Sequence, residues 1–261
     1  MGQGVLPRKH RSGLWQCRYQ AVLCLAYVIF AASSSFAAPA TRDQVLAQLE
    51  SGTTDLSNLQ AAGIDLSGVD FRGARLFGAN FDGANLSNAR LARCNLDLTL
   101  MRGTVLTKAD LREASIFGVL LERANLAGAD LRGARLMSKL DHVNLEGADL
   151  SDLKAGADMR NQPMGLIRIV LTHASLKGAK LIGADLSRGD LSYADLREAD
   201  LSRANLTRVN LTGANLGGAK LSGAIFTDAQ IHNALFVGAT GVKDVLGLDS
   251  TQGKETATFD P

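Results

Sequence analysis

The stretch Ala194-Asp195-Leu196-Arg197-Glu198-Ala199-Asp200-Leu201-Ser202-Arg203-Ala204-Asn205-Leu206 repeats one pattern every five residues. A large apolar residue marks the centre of each unit. A small residue stands two positions before it, and Asp or Asn lies between them. Outward from this stretch, centres fall every fifth residue from Leu171 to Phe226, Ile231 and Phe236. On the other side they run from Leu66, Phe71 and Leu76 to Leu131 and Leu136, then slip by one residue to Leu140, Leu145 and Leu150. Ala74, Ala79, Ala84, Ala89, Cys94, Ala109, Ala124 and Ala129 fill the small position, and Gly is frequent two residues after the centre.

A period of five fits neither the helical period of 3.6 nor the strand period of 2. It fits a short extended segment followed by a corner. Alternation turns the centre and the residue two before it the same way, and the other three positions face water. One unit is then one side of a coil, and four sides enclose one large and one small side chain each. The narrow interior explains the Ala, because a larger residue would collide across the axis. Gly supplies the backbone freedom that the corners need.

The units Ala129-Asp130-Leu131 and Ala204-Asn205-Leu206 carry the pattern A(D/N)LXX, and the chain resembles the pentapeptide-repeat family over most of its length. The resemblance implies an all-β fold: a right-handed quadrilateral parallel β-helix with 20-residue coils joined by backbone hydrogen bonds. At ~4.8 Å per coil, about nine coils span ~43 Å.

Residues outside the repeat divide the chain further. Arg8, Lys9, Arg11 and Arg18 precede an apolar run from Ala21 to Ala32, and small residues follow up to Ala40. This reads as a signal peptide, residues 1–37, cleaved near Ala37/Ala38; the run is short for a span of about 20 residues. The chain is then periplasmic or secreted, the alternative being an uncleaved anchor. Residues 38–55 hold a capping helix, because Thr41-Arg-Asp-Gln44 reads as a capping box. The first array covers 56–150 and the second 171–241, with an irregular coil or loop at 151–170, where Ala157-Asp158-Met159 keeps a trace of one unit. Residues 242–261 make a weaker C-terminal cover, ending in a disordered tail from Thr251.

Residues 20 apart stack in columns, so surface patches can be read from the sequence. Phe77, Asp97, Phe117 and Met137 share one column, Leu98 lies beside it, and Leu100 and Leu120 replace the usual Asp or Asn. Phe77, Leu98, Leu100, Phe117, Leu120 and Met137 therefore outline an apolar strip suited to a protein contact. The bland alternative is local irregularity, or cover from the 151–170 segment. Arg72, Arg112 and Arg132 form a second column, screened by Asp70, Asp110 and Asp130.

The chemistry-bearing inventory is poor. His142, His173 and His232 show no metal-ligand spacing, Cys94 takes an inward small position, and no phosphate-binding Gly loop occurs. No catalytic residue, cofactor or metal is expected. Removing residues 1–37 takes four basic residues and no acidic one, leaving 24 basic against 26 acidic, a net charge of about −2. That balance does not suit a nucleic-acid binder. The expected role is a non-enzymatic scaffold with a protein partner. Two alternatives stay open. One is the DNA-mimicking, topoisomerase-binding role that the resemblance offers for some members. The other is a glycan-binding or carbohydrate-acting β-helix, although the sequence shows no surface aromatic platform.

Overall fold

The computed structural model describes residues 39–157 and 168–260. The segment read above as a signal peptide, and residues 158–167 of the 151–170 interruption, lie outside these residues.

The chain from Asp55 onward winds as a solenoid of parallel bridges. Four columns of bridged residues define four sides, starting at Asp55↔Arg75, Gln60↔Asn80, Asp65↔Asn85 and Asp70↔Arg90. We call these sides 1 to 4. Each bridged residue bonds to the coil before it, and its two neighbours bond to the coil after. Asn95 N–H donates to Ala74 O at 3.1 Å and its carbonyl accepts from Leu76 N at 2.8 Å. Cys94 O accepts from Ser115 N at 2.9 Å, and Leu96 N donates to Ser115 O at 2.8 Å. The corners close by a four-residue turn, as where Ala79 N donates to Leu76 O at 3.0 Å. Most sides contribute one bridged residue. Among the described residues, regular strands occur only at β1, Ser115–Leu120, and β2, Arg135–Lys139, which pair in parallel.

Centres and small positions point inward without exception through the regular coils. Leu76, Leu86, Leu91 and Leu131 are buried together with their partners Ala74, Ala84, Ala89 and Ala129. Each buried Leu contributes roughly 1.5–3 kcal/mol relative to exposure, so stability accumulates coil by coil. The Asp or Asn between them has a separate task. Asp65 Oδ1 accepts the N–H of Ser67 at 2.9 Å and Asn215 Oδ1 that of Gly217 at 3.0 Å, an Asx turn that starts the corner. Neighbouring coils add Asn85 Nδ2 to Asp65 Oδ1 and Asn205 Nδ2 to Asp185 Oδ1, both 3.1 Å.

Both ends are covered. Helix α1, Arg42–Glu50, opens with Thr41 accepting from Gln44 N and Gln44 Oε1 accepting from Thr41 N. Its Val45 is fully buried against the first coil, and Arg42 donates to the carbonyls of Asp65 and Ser67. At the far end the expected disordered tail is corrected. Gln252 pairs with Gln230 and Thr258 with Leu235, and Phe259 stacks on Phe236 at 4.7 Å. The tail continues the stack because Phe236 would otherwise present a bare ring at the open end.

The interruption is also narrower than its sequence range. Ser151–Ala155 stay in register, Lys154 bridges Asp185, and Lys139 bridges Val170. The normal step of 20 becomes 31 here, so the extra residues of this step fall between Ala155 and Ile169 and the bridge columns gain no coil. Leu153 occupies the small position and Ala155 the centre, both buried, a reversed unit that encloses the same two side chains. Ile169, another oversized residue in a small slot, fits because the next small position is Gly189. A Cβ there would come within 2.8 Å of Ile169 Cγ2. We expect Leu153→Ala to lower stability by roughly 2–5 kcal/mol. Leu153→Ala/Ala155→Leu should regain most of that loss, measured by urea denaturation.

Candidate protein-contact surface

The corner between sides 1 and 2 changes character at the one-residue slip. A side chain bridges the turn from Ile116 to Val119: Val119 N donates to Ser138 Oγ at 3.0 Å, and Ser138 Oγ donates to Ile116 O at 3.1 Å. A buried serine hydroxyl thus stitches open backbone that the shortened coil leaves apart.

Around this point the structure gathers five of the six residues read as an apolar strip. Phe77, Phe117, Leu100 and Leu120 are half-buried, Leu98 is 38% exposed, and Leu100 and Leu120 are bridge neighbours on side 2. Leu98 stands at φ 59°, and its Cδ2 fills the space that a Cβ on Gly118 would need. Beneath them, Asp97 Oδ1 accepts from Ser115 Oγ at 2.7 Å and from Phe117 N at 3.0 Å, fixing the Phe117 backbone. Met137 is the correction. It is only 7% exposed, because β2 has one residue fewer to round the corner and buries Leu136, Met137 and Ser138 in succession. The apolar strip left at the surface is therefore Phe77, Leu98, Leu100, Phe117 and Leu120.

Side 4 is charged but internally neutralised. Arg72 Nη2 lies 2.7 Å from Asp70, Arg112 Nη2 2.7 Å from Asp110, and Arg132 Nη2 2.6 Å from Asp130. Arg90 and Arg112 reach across coils to Asp70 and Asp130 at 3.5 and 3.6 Å. The guanidinium hydrogen bond from Arg72 holds the Asp70 carboxyl down to about 2. The same cause lowers Asp110 and Asp130. Each arginine faces its own carboxylate, as the sequence reading supposed.

Two features escaped the sequence. His142, His173 and Tyr193 stack with ring centroids 5.2 and 5.1 Å apart and planes 7° from parallel. All three rings are exposed, on the corner between sides 2 and 3, so the expectation of no surface aromatic platform is corrected. Their spacing of 31 and 20 residues hides the column unless the insertion is already known. Gly213 continues it; a Cβ there would sit 2.6 Å from the Tyr193 ring. The second feature is Glu122, in the turn between sides 2 and 3. Its Oε2 is buried and has no hydrogen-bond partner among the described residues. Nothing in its own repeat unit marks it.

Elsewhere the site inventory stays plain. Cys94 is buried, its thiol donates to Phe71 O at 2.9 Å, and burial pushes its pKa up to about 11. A thiol held protonated is a poor nucleophile. Among the described residues no three His, Cys, Asp or Glu side chains converge on a metal position. No described helix is long and apolar enough to cross a membrane.

Coils of four five-residue sides, bridged at 20-residue steps and carrying Asx corners, define a pentapeptide-repeat solenoid. The chain belongs to the family of pentapeptide repeats, which it matches in eight copies spread over residues 54–152 and 166–240. Proteins of this family are generally structural or binding proteins and not enzymes. A search of curated proteins gave no match. Among solved structures, the chain is similar to HetL, a pentapeptide repeat protein involved in heterocyst differentiation regulation from the cyanobacterium Nostoc sp. strain PCC 7120. That match has 28% identity over 84% of this chain and 94% of that one, with a TM-score of 0.35. QnrB1, a plasmid-mediated fluoroquinolone resistance protein, matches at 17% identity over 76% and 92%, with a TM-score of 0.41. Rfr23 from the cyanobacterium Cyanothece 51142 matches at 28% over 47% and 88%, with a TM-score of 0.32.

The side 4 ladder gives the fold a predictable acid limit. Asp70, Asp110 and Asp130 have folded pKa values below their unfolded ones. Their contribution is present above about pH 4 and is lost as pH falls through the folded values toward about 2. The urea midpoint should therefore hold steady from about pH 7 to 5 and drop below about pH 4. Asp110→Asn/Asp130→Asn should be less stable at neutral pH and lose less on acidification.

Proposed function

We propose that the mature chain is an exported, non-enzymatic scaffold that binds a partner protein at the corner between sides 1 and 2. The observation that carries this reading is the strip of Phe77, Leu98, Leu100, Phe117 and Leu120. Leu100 and Leu120 stand where most units carry a polar residue, adjacent on one side, and with the exposed Leu98 they leave apolar surface next to the corner. Contiguous apolar surface of this kind marks interaction sites. Coils bonded above and below make the corner rigid, so binding needs little ordering. Export rests on the basic start followed by the apolar run from Ala21 to Ala32 and small residues up to Ala40.

The competing roles find less support. A DNA-mimicking, topoisomerase-binding face needs an unpaired acidic column, and on side 4 Asp70, Asp110 and Asp130 are each held by an arginine. A sugar stacks on the open face of an aromatic ring. Within the His142–His173–Tyr193 column the ring faces are turned to one another, and Tyr193 lies over Gly213.

Two experiments test the reading. N-terminal sequencing of protein recovered outside the cytoplasm should begin at Ala38; an intact Met1 there would argue for the anchor instead. Affinity capture from an envelope fraction should recover a partner with wild-type protein. Phe117→Asp should lower the yield by at least ~10-fold, about 1.4 kcal/mol, with an unchanged circular dichroism spectrum. Equal capture by both proteins would remove the corner as the contact.

A further inference from the structure

Helix α1 covers the interior of the first coil but not the whole of its edge. Ala40 N donates to Gln60 O at 2.6 Å, and Arg42 takes the carbonyls of Asp65 and Ser67, so sides 2 and 3 are capped. Side 4 is left open. Within the stack, Arg90 N donates to Val69 O, Arg90 O accepts from Phe71 N, and Ala92 O accepts from Gly73 N, at 2.9, 2.8 and 3.0 Å. The corresponding groups of the first coil, Asp70 N–H, Asp70 O and Arg72 O, have no partner among the described residues. One step of 20 residues back, Leu49 O, Ser51 N and Thr53 N stand where the register would supply those partners. The end of helix α1 spends all three elsewhere. Leu49 O accepts from Gly52 N at 3.0 Å, Ser51 N donates to Ala47 O at 3.0 Å, and Thr53 N donates to Gln48 O at 3.1 Å. A cavity of about 380 Å³ results, lined by Leu49 and Thr54 from the helix end and by Asp70, Phe71 and Ala74 from the coil.

We propose that this open edge binds an extended segment of a partner protein, small at its first residue, apolar at its third and glycine at its fifth. Its first carbonyl accepts from Asp70 N–H, and its third and fifth amides donate to Asp70 O and Arg72 O. Arg90 and Ala92 receive the same three bonds from the coil before them. An unpaired edge of this kind is a template for strand addition. Strand alternation turns the third side chain inward, into the cavity beside Leu49 and Phe71. Glycine suits the fifth residue, because Gly73 holds φ 72° at the equivalent position of the coil below. The edge takes a single rung and not a second copy stacked end to end, since α1 already occupies the edges of sides 2 and 3 that a whole coil needs. It lies apart from the apolar strip between sides 1 and 2, so the two readings stand or fall separately.

The probe is a fluorescent peptide with the core Ala-Asn-Leu-Ser-Gly, titrated against the full mature chain and followed by anisotropy and by the NMR signal of the Asp70 amide. The peptide should bind and shift that signal. Methylating its Leu nitrogen removes the donor to Asp70 O and should weaken binding at least ~10-fold. Methylating its Asn nitrogen, which faces away from the edge, should leave the affinity unchanged. Thr54→Trp, which fills the cavity, should weaken the unmodified peptide at least ~10-fold with an unchanged circular dichroism spectrum. If Thr54→Trp does not fold, the methylated pair decides alone. Absence of binding, equal affinities of the two methylated peptides, or binding that leaves the Asp70 signal in place overturns the proposal. So does undiminished binding by a folded Thr54→Trp. A concentration-dependent shift of the Asp70 signal without peptide would put a second copy on the edge and also overturn it.

Discussion

The interior of each coil has room for one large and one small side chain per side, and the carbonyls above and below fix where the next coil must lie. With the bridges set by backbone geometry, volume inside the coil cannot vary freely. Irregular residues are therefore answered locally. Leu153 and Ala155 exchange places within one unit, and both stay buried. Ile169 intrudes on a small slot, and Gly189 in the next coil withdraws its Cβ to admit it. Where a residue is missing near Met137, the Ser138 hydroxyl ties Val119 N to Ile116 O across the turn. In each case a neighbour within one coil absorbs the change, and the bridge columns pass through undisturbed.

The same constraint decides what the sequence could reveal. Positions whose identity is dictated by the interior, such as Leu66, Ala84 or Phe226, announce themselves by period alone. So does the Asx corner, because only Asp or Asn places an oxygen two residues before the waiting N–H. The outer surface is legible only where the register is known. Phe77, Leu98 and Phe117 lie in coils of 20 and could be aligned by counting. His142, His173 and Tyr193 lie across the insertion, and counting by 20 scatters them. The tail failed for a related reason. Its bridges lengthen from Ile225↔Leu246 to Gln230↔Gln252 and Leu235↔Thr258, so the five-residue period is gone although the stacking continues. Met137 was misplaced because its burial depends on the shape of β2, which a missing residue does not disclose.

Corners place another demand on the chain. Seventeen described residues other than Gly take φ between 55° and 62°, a region that costs about 1–2 kcal/mol for a side chain with a Cβ. Such residues persist where something outside the backbone holds them. Arg93 reaches Glu113 at 3.0 Å and Arg208 reaches Asp228 at 3.1 Å, each pairing with the next coil. His142, His173 and Tyr193 stack instead, and a stacked pair offsets part of the strain. The aromatic column thus has a structural account that requires no ligand.

Leu98 is different, and this distinguishes the proposed contact from the rest of the surface. It bears the same left-handed strain at φ 59°, yet it gains only the shallow space over Gly118 and remains 38% exposed. Its neighbours Leu100 and Leu120 give up the Asx bond that Asp or Asn would supply at those positions. The stack loses corner bonds here and buries little in return. Both departures fall within two adjacent coils beside one corner, whereas Ile182 and Val237 lie apart from it. That grouping is why the proposed contact is placed at this corner and not along the rest of the solenoid.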